Sequence, residues 1–230
     1  VVTDKDYLVR SLAMPAQFGQ ISKVFVVRDE QINAIARQDS GSLTLNNDQN
    51  PYNDRSYVVD PVAPNAINLY VLGYDENKNL ATLNTLVKKN LAKYLEQYRV
   101  LTDDVNILDA FVVNVGVQFH IVVYRNYNMN DVVARCIDAI KDFFDIAKWQ
   151  INQPIIMNDL RLTIGSVEGV QTISDVIITN KYRFQDGRDY FEYRYPIEEA
   201  TVDDIVYPSL DPCIFEIRHP ETDIVGFARQ

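Results

Sequence analysis

The stretch Phe111–Val123, FVVNVGVQFHIVV, constrains the fold more than any other part of this chain. Phe111, Val113, Val115, Val117, Phe119, Ile121 and Val123 take every second position, and Asn114, Gly116, Gln118 and His120 fall between them. Successive side chains of a strand point to opposite faces, so the pattern predicts one long, half-buried strand. A slip of one residue would turn the whole apolar set out to water, which fixes the register.

Two amphipathic helices are available to cover that face. Leu80, Leu83, Val87, Leu91, Tyr94, Leu95 and Tyr98 trace one side of a helix of about five turns. Val132, Val133, Cys136, Ile137, Ile140, Phe143, Phe144 and Ala147 trace a second, with Asn128 or Asn130 as its cap. The six apolar residues from Val113 to Val123 are expected to face the helices over 80–98 and 130–147. Residues 158–179, NDLRLTIGSVEGVQTISDVIIT, then read as a short helix, a turn at Glu168-Gly169 and a strand. Asn158 or Asp159 is the expected cap of that helix, Leu160, Ile164 and Val167 share a face, and Ile173, Val176 and Ile178 are strand material.

Before this block, Thr3-Asp4-Lys5-Asp6 predicts a helix start, with Tyr7, Leu8, Leu12 and Met14 as its apolar face and Pro15 and Gly19 ending it. Residues 21–27 and 67–73 read as strands. Between them, 38–65 hold Gly41, many Asn and Asp, and prolines at 51, 61 and 64. A compact domain rarely tolerates so long a loop, so this is read as an arm or surface excursion suited to interaction. The element order predicts an α+β fold, a mixed sheet with amphipathic helices packed on it. Three segments are expected: 1–66, an N-terminal helix and strand with the arm; 67–180, the α+β core; and 181–230, an irregular, aromatic-rich C-terminal extension.

That extension carries nine of the chain's 25 aromatic residues and four of its nine prolines, and it shows no helical period. Aromatics without a core of their own must pack on the preceding domain or on a neighbouring chain. Tyr190, Phe191, Tyr193, Tyr195 and Tyr207 are the candidate interface residues. If 190–195 is a strand, Phe191, Tyr193 and Tyr195 share one face and Tyr190 points the other way.

A search for chemistry returns little. His120 and His219 have no Ser or Cys partner at a recognisable spacing and no metal-type companion histidine. Asp103-Asp104, Glu198-Glu199 and Asp203-Asp204 lack the spacing of a calcium loop, and 8 glycines in 230 residues argue against a phosphate cradle. Cys136 reads as a core thiol and Cys213 as a loop residue; two cysteines are too few for a disulfide framework. The net charge of −10 opposes non-specific nucleic-acid binding. No apolar run approaches a membrane span and no secretory signal is visible; the cysteine usage leads to an expected synthesis in a reducing cytoplasm. No catalytic, cofactor or metal residue is proposed at this level. The chain begins at Val1 and is expected to be a fragment or processed product.

The stretches TDKDYLVRSLAMPAQFGQISKVFVV, INLYVLGYD, LTDDVNILDAFVVNVGVQFHIVVYR and SVEGVQTISDVIIT, in that order, resemble the baseplate J-like family of contractile-tail assemblies. The stretch YPSLDPCIFEIRHPETDIVG is similar to the end of the larger wedge subunits of T-even-type phages. The resemblance covers nearly all of the chain and implies the C-terminal part of a longer protein. It implies a structural, non-enzymatic virion protein of the tail baseplate, assembled in the host cytoplasm. Such a subunit self-associates as a dimer, binds other wedge proteins and joins into a ring. The competing reading is a small-molecule-binding or hydrolytic α+β domain, which would gather convergent polar groups in a pocket.

Overall fold

The computed structural model describes residues 3–28, 66–98, 104–185 and 187–230. The expected excursion over 38–65 lies outside the described residues. The fold is α+β, and the chain divides into two compact units, Val1–Ala110 and Phe111–Gln230.

In the first unit, α1 (Asp4–Leu12) opens on the expected capping box: Thr3 Oγ1 accepts from Asp6 N at 3.3 Å, and the Asp6 carboxylate accepts from Thr3 N at 3.1 Å. Its buried stripe runs through Tyr7, Ser11 and Met14 at i, i+4 and i+7, which leaves Leu12 exposed, contrary to expectation. Ser11 is tolerated inside because its hydroxyl donates to Tyr7 O at 2.7 Å. Strand β1 (Lys23–Arg28) pairs antiparallel with β2 (Ala66–Tyr74). The two-residue β3 (Leu80–Ala81) pairs antiparallel with the end of β2, and β4 (Asp104–Asp109) pairs parallel with β2. The helix expected over 80–98 is shorter, α2 (Thr85–Glu96), because Leu80 belongs to β3 and the Asn84 side chain caps the helix by accepting from Leu86 N at 3.0 Å. Helix α2 links the parallel pair β2 and β4, as parallel strands require. Leu91 and Leu95 bury with Tyr7, Ile67, Leu69 and Val71. The expectation that this helix covers the long strand is therefore corrected: its apolar face is spent on its own unit's sheet.

The second unit is built around β5 (Phe111–Val123). Strand β7 (Val170–Lys181) pairs antiparallel along one edge. Two short strands, β12 (Cys213–Glu216) and β13 (Ile224–Arg229), run parallel along the other, joined by α5 (Pro220–Asp223). Cys213, expected in a loop, opens β12 and is fully buried. Helix α3 (Met129–Phe143), capped by Asn128, packs over β13, and α4 (Met157–Gly165) packs over β7. Val132, Cys136 and Ile140 from α3 and Leu160 and Ile164 from α4 cover the odd-numbered residues of β5. Gly169 turns the chain into β7 at φ +100°, where any Cβ would sit 2.7 Å from Val132 Cγ2.

The cap of α4 differs from expectation. Neither Asn158 nor Asp159 caps it; the two-residue strand β6 (Ile155–Ile156) runs straight into the helix, and Met157 N donates to Asp204 O at 2.9 Å. That carbonyl comes from the hairpin of β10 (Thr201–Val202) and β11 (Ile205–Val206), which adds to β6. Asp203 and Asp204 make its two-residue turn at φ 51° and 60°, a conformation Asp tolerates better than most residues.

Strand β5 also differs from a half-buried ribbon. From Val112 to Val117 every residue is buried; from Gln118 onward burial alternates. The first half is covered on both faces, and the second cover comes from the C-terminal part of the chain.

Candidate functional site

The covering segment, 182–207, starts where β7 ends. A small hairpin of β8 (Phe184–Gln185) and β9 (Arg188–Asp189) folds it back, and Arg183 N donates to Phe191 O while Tyr190 N donates to Arg183 O. Residues 190–195 then run without regular strand structure, so the alternating arrangement expected of a strand does not apply. Polar side chains of the sheet hold this irregular backbone. Asn114 Oδ1 accepts from Phe191 N at 2.8 Å, and Asn180 Oδ1 accepts from Tyr195 N at 2.8 Å. Asn114 also donates through Nδ2 to the buried Glu216 carboxylate at 2.9 Å, whose neighbour Arg218 lies 3.6 Å away. Each buried polar group thus acquires a partner, which is what makes such burial tolerable.

The candidate interface residues separate by position. Tyr190 is 8% exposed, and its hydroxyl donates to Asp223 at 2.6 Å; Asp223 also accepts from His219 N at 3.0 Å. Tyr195 is 7% exposed, donates to Tyr207 O at 2.5 Å and meets the Phe215 ring edge-on at 5.8 Å. Burial pushes the Tyr195 phenol above its ordinary value, so it acts as a fixed donor. Phe191 and Tyr193 are half-buried: their rings stack at 6.4 Å, Phe111 packs edge-on to Tyr193 at 5.1 Å, and the Arg218 guanidinium sits 5.1 Å over Phe191. Tyr207 is 45% exposed, and Phe184 and Leu210 are exposed as well. The anchoring residues Asn114, Asn180, Glu216 and Asp223 were not singled out in the sequence. The one available signal was a carboxylate, Glu216, inside the apolar run CIFEI.

The groups weighed for catalysis have other tasks. The His120 ring stacks flat on Phe227 at 4.8 Å, with Nε2 3.1 Å from Gln118 Nε2. His219 precedes α5 and places Nε2 3.3 Å from Asp189 O. Arg161 grips Asp204 with two hydrogen bonds of 2.9 and 3.3 Å, and this pairing holds the Asp204 carboxyl below its ordinary value. Glu198 and Glu199 lie exposed in a turn. Burial pushes the Cys136 thiol up to about 11 and raises Cys213 as well, so both stay protonated at neutral pH. An open groove of about 530 Å³ between α4 and β7 is lined by Arg161, Ser166, Gln171 and Thr172 among others, with Arg161 engaged by Asp204. Among the described residues no three His, Cys, Asp or Glu side chains group as metal ligands, and no helix is long and apolar enough to cross a membrane.

No family model matches this chain, and no curated protein matches it in sequence. Among solved structures, a chain of the anti-feeding prophage baseplate, seen by cryo-electron microscopy with six-fold symmetry applied, is similar over 69% of this chain, with a TM-score of 0.43 and 8% identity. The match spans 31% of that chain's own length.

Proposed function

We propose that this chain is a non-enzymatic structural subunit of a contractile-tail baseplate. In this reading it is the C-terminal part of a wedge protein like the gene-six product of T-even-type phages. It joins neighbouring wedge subunits into a ring, and its partners are a second copy and other wedge proteins. The observation that carries the reading is spatial. The stretches LTDDVNILDAFVVNVGVQFHIVVYR, SVEGVQTISDVIIT and YPSLDPCIFEIRHPETDIVG, which carry most of the resemblance, supply β5, most of β7, β12 and the first half of β13, neighbouring strands of one sheet, and the first also supplies β4 of the other unit. The aromatic segment 182–207 is the proposed contact with a second chain, offering Tyr207 and the half-buried Phe191 and Tyr193, while Tyr190 and Tyr195 anchor it from beneath. Ring subunits need such well-packed aromatic contacts.

The test is reconstitution with the other wedge proteins of the same tail, read by mass photometry. The expected result is a complex larger than the chain, weakened about thirtyfold when Tyr193 and Tyr207 are both changed to Ala, as for loss of an anchor of about 2 kcal/mol. A chain that binds no tail protein would contradict the reading. So would turnover of an ester, phosphoester or glycoside that disappears on His120→Ala or His219→Ala.

A further inference from the structure

A polar row crosses the sheet of the second unit. Asn114 on β5 pairs directly with Glu216 on β12 and with Lys181 on β7. Directly paired residues share a face, so the three side chains lie together on the side that the aromatic segment covers. Asn114 is 1% and Glu216 2% exposed, and Lys181 is half-buried. Gly116, on the same face as Asn114, leaves room for the lysine stem: a Cβ there would sit 3.2 Å from Lys181 Cε. The amine, one bond beyond Cε, is therefore held over β5, within side-chain reach of the Asn114 carboxamide. We propose that Lys181 and Asn114 join through an intramolecular isopeptide bond, with Glu216 carrying the protons. This inference is independent of the baseplate reading.

Both ends of the carboxamide are fixed for this reaction. The Phe191 amide requires an acceptor and the Glu216 carboxylate a donor. That sets Asn114 Oδ1 on Phe191 N at 2.8 Å and Nδ2 on Glu216 Oε2 at 2.9 Å. The first contact polarises the carbonyl and stabilises the oxyanion that forms when Cγ is attacked. The second places a carboxylate on the leaving nitrogen. Burial excludes the water that would compete with the amine, and pairing across adjacent strands replaces a bimolecular encounter with a held one. Glu216 takes a proton from the Lys181 ammonium, and the freed Nζ lone pair attacks Asn114 Cγ, pushing the carbonyl π electrons onto Oδ1. The carbonyl re-forms as the Cγ–Nδ2 bond breaks, and Glu216 hands its proton to the departing nitrogen, which leaves as ammonia. The second proton lost by Nζ passes through the same carboxylate to solvent. Nothing is oxidised or reduced. The product ties β5 to β7 covalently, so the two strands cannot part or slip in register at this point.

The test is intact-mass spectrometry of the purified, folded chain held at mildly alkaline pH, followed by a protease digest, with circular dichroism as the folding control. The expected mass is that of the sequence less one ammonia. The digest should yield the segment holding Lys181 joined to the segment holding Asn114. Lys181→Arg and Glu216→Gln should each keep the full sequence mass. The first retains the positive charge at that position and serves alone should the second fail to fold. A folded wild-type chain that keeps its full mass would overturn the inference. So would an ammonia loss that persists in Lys181→Arg, which assigns it to cyclisation at another residue, or a joined pair of segments that still forms in folded Glu216→Gln.

Discussion

The two halves of β5 have the same sequence pattern and different surroundings. From Val112 to Val117 the strand is enclosed: α3 and α4 lie on the odd side, and Phe191, Tyr190 and α5 are held to the even side through Asn114 and Asp223. From Gln118 to Val123 the same helices cover the odd side, and the even side is exposed at Ile177, Val225 and Phe227 on the flanking strands. Alternation therefore reports one buried face faithfully and says nothing about the other. Whether polar residues on that other face meet water or a second layer depends on distant chain. Here a segment 77 residues from Asn114 supplies the layer over one half only.

The difference should appear most strongly in a pair of substitutions. Val117→Asp puts an unpaired carboxylate into the enclosed half and should cost roughly 4 kcal/mol in urea unfolding. Val122→Asp, on the open face, should cost about 0.5 kcal/mol or less. Equal losses would erase the distinction between the halves.

A smaller effect tests what holds the cover in place. Asn114→Ala leaves the Phe191 amide and the buried Glu216 carboxylate without their Asn114 partners and should cost about 2–3 kcal/mol. Amides of 190–195 should then exchange faster with deuterium, while those pairing β13 with β5 keep their protection. Unchanged exchange over 190–195 would show that the segment is held by something other than this side chain.

The smallest effect lies away from the strand, at the β10–β11 turn that supports α4. Asp204 has its pKa lowered by Arg161, so the pair stabilises the fold above the unfolded carboxylate value of about 3.9 and loses that contribution as pH falls through the lower folded value. Asp204→Asn keeps the turn geometry and should lower the melting temperature slightly at pH 7, with the gap closing toward pH 3. A gap that persists in acid would assign the loss to the turn and not to the charge.

Much of this architecture was legible in the chain. The capping box at Thr3, the long strand, the helix starting after Asn128 and the Gly169 turn all follow from local rules, because capping and period are local physics. The length of α2 was not, since Leu80 fits a helical face as well as the strand position it occupies. Nor was the cap of α4, where a backbone carbonyl from Asp204 replaces a side chain. The aromatic segment was recognised by composition. Its division into anchors and exposed rings was hidden, because Tyr190 and Tyr195 are fixed by partners distant in sequence: Asp223 for the Tyr190 hydroxyl, Asn180 for the Tyr195 amide and Phe215 for the Tyr195 ring.

Hydroxyl-radical footprinting of the dilute chain tests the covered-and-open contrast most directly. Tyr190, Tyr195 and Tyr207 share one intrinsic reactivity, so their relative rates report burial alone. The expected result is that Tyr190 and Tyr195 stay protected in the dilute chain while Tyr207 and Phe227 react. Tyr190 and Tyr195 reacting as fast as Tyr207 would contradict the enclosed half, and a protected Phe227 would contradict the open one.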